Sequence, residues 1–478
     1  MNVPGSLKSH SLISCWALLL LLPPLSATAA TITNTDRNLN IRVDDAREYD
    51  GGTRLLYHTM PDITQAHVSE KCATNFYTVD LKPGLTNVQP QALAENYCAH
   101  IGFSGTITDS GDVVIVANDR VETWRPGTGN IGIWELSAGE WEAGYGRTVN
   151  SDNIIYDVSH SGELLVWRML SRKRNDTTSP SGTVVRFAAN GEPLWKKELH
   201  TPGVLLSVTR LWASADGGAL LLVAASPLKG GQLADVEPPA GSVVGQQDRL
   251  YRLDATGTIV GQIALTTYKM PDPSKPMEMP DLSTIGSNPD AFKAILERQQ
   301  SMSQIENVDQ IAARTSADGR VHVLFRRGSS NKAREGTAYL ASQSDGTFSE
   351  EFSLQAALDD QALRTWVDFD YKDGNVLLYG VVGTRANRLP QGYISHIDSR
   401  TGNVQTQLVP LSPMGLQEAR NARDEQVQNL EHNPSQDAVM LGSLNGNPLL
   451  ISLTRMAKRP SLQVDEGTAA LPAYNPSQ

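Results

Sequence analysis

Ala215-Asp216-Gly217, followed almost at once by the apolar run Ala219-Leu220-Leu221-Leu222-Val223-Ala224, decides the fold. An Asp-Gly step between two apolar segments marks a tight hairpin turn, because the turn needs a positive φ that glycine adopts without steric cost. The phrase recurs along the chain. Asp109-Ser110-Gly111 precedes residues 112–117, Ser159-His160-Ser161-Gly162 precedes 163–167, and Ala317-Asp318-Gly319 precedes 321–325. Lys372-Asp373-Gly374 stands before 376–379. Asp50-Gly51-Gly52 and Asn433-Pro434-Ser435-Gln436 complete the set.

A second hairpin follows each copy. Val184-Val185-Arg186-Phe187 leads through Ala189-Asn190-Gly191 to Pro193-Leu194-Trp195, and Leu250-Tyr251-Arg252-Leu253 leads into Asp254-Ala255-Thr256-Gly257. Tyr339-Leu340-Ala341 with Ser344-Asp345-Gly346, and Tyr393-Ile394-Ser395 with residues 398–402, repeat the arrangement. The unit is therefore four antiparallel strands, A to D. Copies stand 51 to 62 residues apart, except for 102 residues between Gly217 and Gly319, where something is inserted. Four-stranded units at this period predict an all-β β-propeller of seven blades, with six or eight as alternatives. Serial β-sandwiches would need longer and less similar units. The seventh unit is incomplete: strand A is expected near 427–430, B at 438–441 and C at 449–453. The fourth strand is either 461–464 or the N-terminal segment 31–35, which would close the ring and remove a sheet edge.

The second hairpins, above all Arg186-Phe187-Ala188-Ala189-Asn190-Gly191-Glu192-Pro193-Leu194-Trp195, resemble the repeat of quinoprotein-type (PQQ-like) propellers and their non-catalytic periplasmic relatives. In that family an apolar strand, an Asp-x-x-Gly turn and a tryptophan recur from blade to blade. Leu253-Asp254-Ala255-Thr256-Gly257 and Ile397-Asp398-Ser399-Arg400-Thr401-Gly402 share the turn and lack the tryptophan, which stands only at Trp195. The resemblance is at the level of the repeat. It implies the fold and not a quinone.

Residues 1–30 read as a secretory signal peptide. Lys8 is the one charge of a polar opening, an apolar run covers 12–25, and Ser26-Ala27-Thr28-Ala29-Ala30 offers small residues for cleavage after Ala29 or Ala30. The run is too short for a membrane span and is broken by Pro23-Pro24. Cys15 stands near the start of the apolar run, ahead of its densest part at Leu18 to Leu22, instead of following it, which removes a lipoprotein reading. Export to the periplasm or beyond follows, with residues 31–456 as the propeller, 266–305 as its insertion and 457–478 as a tail. Two cysteines then remain, Cys72 and Cys98, and in an oxidising compartment a disulfide is expected. Net charge is −11, and −12 without Lys8. That excludes a general nucleic-acid footprint, which needs a basic surface.

In a propeller, A–B and C–D turns share one face, and B–C and D–A connections share the other. The B–C loops expected here are long: 59–75, 118–129, 170–182, 226–248, 328–336 and 383–392. The insertion reaches the same face, and the cysteines fall on it. Long loops on a rigid scaffold concentrate binding. Their candidate binding residues are basic: Arg172, Lys173 and Arg174; Arg326, Arg327, Lys332 and Arg334; and Arg385 and Arg388. Such a face suits an anionic ligand or an acidic protein, although solvated loop charge explains the same residues. Within the insertion, Asn288-Pro289-Asp290 predicts a helix start carrying Phe292, Ile295 and Leu296 on one stripe.

No catalytic constellation emerges: no His-Glu-x-x-His, no Gly-x-Ser-x-Gly, and no histidine pair at metal-ligand spacing. His322 and His396 fall in strands, where a hydrogen-bonded structural role is expected. No catalytic residue, metal or cofactor is assigned. The reading favours a monomeric, non-enzymatic exported binding or scaffold protein, with a periplasmic immunity protein as one form. A quinone-dependent dehydrogenase or a carbohydrate-active propeller is the alternative.

Overall fold

The structure is a computed structural model. It describes residues 29–33, 40–60, 74–82, 89–97, 103–117, 120–136, 154–170, 178, 180–228, 233, 242–271, 293, 305–316, 319–330, 335–349, 352–353, 366–372, 375–383, 390–398, 404–409, 439–444, 447–454 and 461–466. Hydrogen bonding groups its strands in fours, each group antiparallel and in chain order. The first complete group is β2 (Asn40–Tyr49), β3 (Gly52–Met60), β4 (Thr74–Leu81) and β5 (Gln91–Tyr97). Next come β6 (Phe103–Ile107), β7 (Val113–Ala117), β8 (Arg120–Arg125) and β9 (Gly129–Glu135). The third holds β10 (Ile154–Val158), β11 (Leu164–Met169), β12 (Gly182–Phe187) and β13 (Pro193–Leu199). The fourth holds β14 (Val204–Ala213), β15 (Ala219–Pro227), β16 (Ser242–Leu253) and β17 (Ile259–Pro271). The fifth has β18 (Glu306–Thr315), β19 (Val321–Ser329), β20 (Gly336–Ala341) and β21 (Phe352–Ser353). The sixth has β22 (Trp366–Lys372), β23 (Asn375–Gly383), β24 (Pro390–Asp398) and β25 (Val404–Val409).

The last group joins the two ends of the chain. Its order is β26 (Val439–Leu444), β27 (Asn447–Thr454), β28 (Ser461–Glu466) and then β1 (Ala29–Thr33). Thr31 pairs with Gln463 in that ladder. Both candidates for the closing strand are therefore used, and the unit is shifted by one strand from the expected phase: 439–444 is strand A instead of B. Residues 427–430, expected as strand A, lie outside the described residues.

Innermost strands meet around an axis. β2 touches β6, β6 touches β10, β10 touches β14, β18 touches β22, β22 touches β26, and β26 returns to β2. Sheets stacked face to face around an axis make an all-β propeller, and no helix is among its described elements. Stacking explains the sequence of the middle strands. β7 is Val-Val-Ile-Val-Ala because both its faces are covered, and Val113, Val114, Ile115 and Val116 are all buried. The core lies between sheets: Val114, Val116 and Val121 pack against Leu164, Val166, Val185 and Phe187 of the next one. Leu220, Leu222 and Leu250 pack in the same way against Val321, Val323 and Phe325.

The recurrent turn has one geometry. At Thr108, Ser159, Ser214 and Ser316 the N–H donates to the carbonyl four residues on, and the glycine three residues on donates back. Ala188, Asp254 and Gln343 open the C–D turns identically. The glycines, Gly191 among them at φ +87°, take the left-handed conformation that closes the hairpin. Gly191 does a second job. A Cβ there would stand 2.8 Å from the Trp134 ring of the preceding sheet, and one at Gly257 would stand 2.7 Å from Trp195. Each tryptophan thus lies flat on the turn of the next sheet. Trp134 was not part of the sequence motif.

Two expected loops are corrected. The connection expected at 118–129 shrinks to two residues, because β8 follows β7 directly and β9 begins at Gly129. The insertion begins later than Thr266, since β17 runs on to Pro271 against a lengthened β16. Residues 272–292 and 294–304, with the expected helix and its apolar stripe, lie outside the described residues. Substituting Gly191→Val forces both a left-handed β-branched residue and a clash with Trp134, and should cost about 2 to 4 kcal/mol by urea denaturation.

Candidate functional site

The two ends of the propeller differ. A–B turns take two to five residues, as at 50–51 and 108–112, whereas the other end carries connections such as 61–73, 136–153 and 272–305. Most of the basic residues expected on the long connections, Arg172, Lys173, Arg174, Lys332, Arg334, Arg385 and Arg388, lie outside the described residues, as do Cys72 and Cys98. Arg326 and Arg327 are described, and both belong to β19 instead of a loop.

Arg327 has a partner inside the fold. It is buried, and its Nε and one terminal nitrogen donate to the Leu265 carbonyl at 3.0 and 2.7 Å. The register of β16 against β17 shifts at Leu265, with Asp248 opposite Thr266 and Arg249 opposite Ala264. A bulge leaves its extra residue out of the ladder, and Arg327 satisfies the carbonyl from the next sheet. Arg326 faces Asp309 at 3.5 Å at a half-exposed position. Arg327→Ala should therefore cost about 1 to 3 kcal/mol by leaving a buried carbonyl without its donor. Arg326→Ala should stay within about 0.5 kcal/mol, as for a surface pair; thermal unfolding distinguishes them.

The described residues bring together a different charged group, at the central channel. Asp45 on β2 and Asp157 on β10 occupy corresponding places on innermost strands. Asp45 Oδ2 accepts the N–H of Ile107, the last residue of β6, at 2.8 Å. Asp157 Oδ2 accepts the N–H of Ala213, the last residue of β14, at 2.7 Å. Asp45 and Asp157 are both half-buried. Burial therefore pushes Asp157 up to about 6, against two backbone donors, with repulsion from Asp45 adding and attraction to Arg314 on β18 subtracting. Asp45 is also raised by burial, opposed by Ile107 N–H, His160, Ala46 N–H and Arg47. Arg47 bonds Asp109 and the Ile107 carbonyl, and His160 Nδ1 lies 3.3 Å from the same carbonyl. Sequence reasoning passed over these carboxylates. Asp157 alone carried a signal, an aspartate inside the otherwise apolar Ile154-Ile155-Tyr156-Asp157-Val158, whereas Asp45 stands among other charges on β2.

Two histidines are held in the interior. His58 Nδ1 contacts Asp44 Oδ2 at 2.6 Å, both side chains nearly inaccessible. His322 Nδ1 lies 2.7 Å from the Tyr339 hydroxyl and Nε2 2.9 Å from Ser316 Oγ, and its ring stacks on Tyr371. His322 thus has the hydrogen-bonded structural setting expected of it; His396 lies on β24, its side chain outside the described residues. Among the described residues no group of three His, Cys, Asp or Glu side chains could hold a metal ion. No helix there is long and apolar enough to cross a membrane.

No family model and no curated protein matches the chain. Solved propellers do. The β-propeller domain of the trilobed protease from Pyrococcus furiosus has 10% identity and a TM-score of 0.38, over 91% of this chain and 98% of that one. An α-L-arabinanase from Penicillium chrysogenum, complexed with arabinobiose, has 10% identity and a TM-score of 0.38, over 92% and 98%. The Nup133 β-propeller domain of Vanderwaltozyma polyspora has 9% identity and a TM-score of 0.34, over 89% and 100%. The class is that of a β-propeller, and the likeness extends to no particular member.

Proposed function

We propose that the chain is an exported binding or scaffold protein: a ring of seven blades that holds a protein or an anionic ligand on its long-connection face. The observation that carries this is the polarity of the ring, with A–B turns of two to five residues at one end and the longest connections, 61–73, 136–153 and 272–305, at the other. Seven four-stranded sheets in the hydrogen bonding support the blade number. Trp134 and Trp195, each flat on a turn glycine of the next sheet, support the repeat-level resemblance to quinoprotein-type propellers. A non-enzymatic role is favoured by how the described cations are used. Arg54 and Arg186 each bond a carboxylate and a turn carbonyl of the following sheet, and Arg327 bonds a bulge carbonyl.

Export fits the first thirty residues and supports a Cys72–Cys98 disulfide on the binding face. Cleavage after Ala29 or Ala30 leaves Thr31, Ile32 and Thr33 to pair with Gln463, Leu462 and Ser461. An immunity protein that blocks an incoming toxin and an envelope assembly scaffold both fit. A propeller enzyme is the second reading, favoured by the channel carboxylates Asp45 and Asp157, although each spends an oxygen on a backbone N–H.

The test is recovery of a partner from envelope extract by the full chain and by a variant with Arg172→Glu, Lys173→Glu and Arg174→Glu. The basic-face account expects the partner with the first and at least tenfold less with the second. Equal recovery would sink it. The exported protein should begin at Ala30 or Thr31 on N-terminal sequencing.

A further inference from the structure

Each sheet ends at the rim in an outermost strand with no further strand bonded to it. Folded proteins guard such edges with lysine, proline or bulges, because an open edge pairs readily with another chain. β13 begins at Pro193 and carries Lys196, Lys197 and Glu198, and the register of β17 against β16 shifts three times. β9, Gly129-Asn130-Ile131-Gly132-Ile133-Trp134-Glu135, holds a single charge, at its last residue. Ile131 and Ile133 stand two residues apart on it, with 43% and 52% of their surface exposed. Four large apolar side chains are exposed among the described residues, and a third of them, Leu194, lies on β13 of the next sheet. The apolar exposure of the ring is therefore concentrated at the rim of two adjacent sheets, and β9 is its least guarded edge.

We propose that β9 is a dimerisation edge, pairing antiparallel with β9 of a second copy of this chain about a two-fold axis at Gly132. The sequence alone led to the expectation of a monomer; the charge pattern of β9 selects a second copy as its occupant. In this register Ile131 of each copy lies opposite Ile133 of the other, so four isoleucines cover one another on one face of the joined sheet. Glu135 lies opposite Gly129 of the second copy. Arg125 of β8 is the cross-strand neighbour of that glycine, which has no side chain to keep the incoming carboxylate from the guanidinium. Arg125 is half-exposed and bonds Asp112 at 2.8 and 3.0 Å, so it meets Glu135 as a shared cation. The two Glu135 side chains fall at opposite ends of the joint, whereas parallel pairing would set them side by side.

The axis position is bare. A Cβ at Gly132 would meet nothing nearer than Thr123 Cβ at 4.0 Å, so two backbones can approach there. Gly132 N–H now donates to Oδ1 of the exposed Asn130 at 3.1 Å, a bond that a backbone carbonyl of the second copy would replace. Strand addition of this kind draws its affinity from main-chain bonds and its specificity from alternate side chains, here the isoleucines.

The experiment is sedimentation velocity of the full chain from about 1 to about 100 µM, beside Ile131→Lys and Ile133→Glu. It needs no binding partner, so its failure leaves the proposed function standing. The parent should pass from monomer to dimer over that range. Each variant alone should associate at least tenfold more weakly, with a urea midpoint close to that of the parent because both side chains are exposed. Mixed in equal amounts, the two variants should associate again, since positions 131 and 133 lie opposite one another across the two-fold and now carry opposite charges. A parent that stays monomeric throughout would overturn the proposal and leave the edge to a strand of a different protein. Variants that associate as tightly as the parent would overturn it as well, and a mixture no more associated than either variant alone would contradict the two-fold.

Discussion

A four-stranded sheet cannot stand alone, and the hydrogen-bonding groups it leaves over are what this ring is assembled from. Each sheet ends at the axis in an innermost strand with one open edge, and at the tight-turn end in carbonyls that no ladder uses. Neighbouring sheets take up both. Asp45 and Asp157 accept the last amides of β6 and β14. Arg54 reaches the Gly111 carbonyl, and Arg186 reaches those of Gly218 and Ser214. Buried polar groups must be paired, and here the pairing partner is the next sheet.

Apolar burial between sheets supplies the bulk of the adhesion but little direction, since flat valine and leucine faces could slide. The polar ties set the register between sheets. The tryptophans do similar work toward the rim, where Trp195 lies on Gly257 and also donates to the Gly217 carbonyl at 3.1 Å. Charge committed to these contacts is no longer free to recruit a ligand. Arg54, Arg186 and Arg327 are buried in this way, their charge taken up by the fold.

The turns were legible in the sequence because glycine at a left-handed position is a local requirement: Gly111, Gly162, Gly217 and Gly319 announce it without help from the rest of the chain. The middle strands were legible because burial on both faces writes an unbroken apolar run. Phase was harder at the last sheet, where β26 carries Val439-Met440-Leu441 like any middle strand yet sits innermost. The two-residue step from β7 to β8 was missed because Arg120, Glu122 and Arg125 make β8 look like a loop. The bond of Arg327 to the fold was hidden for a related reason. The bulge at Leu265 that fixes its role lies 62 residues away, and no local pattern connects the two. The roles of Asp45 and Asp157 were hidden for the same cause, since their partners are amides of another sheet.

Amide hydrogen exchange at Ile107 and Ala213 tests this account most directly. Both N–H groups sit at strand ends, where fraying would normally expose them, and both are held by a carboxylate of the neighbouring sheet. If junctions between sheets are fixed by these ties, the two amides should exchange as slowly as the ladder amides of β7 and β15. Exchange at the rate of the exposed turn amides would mean that the sheets are held by apolar packing alone, and the account would be wrong.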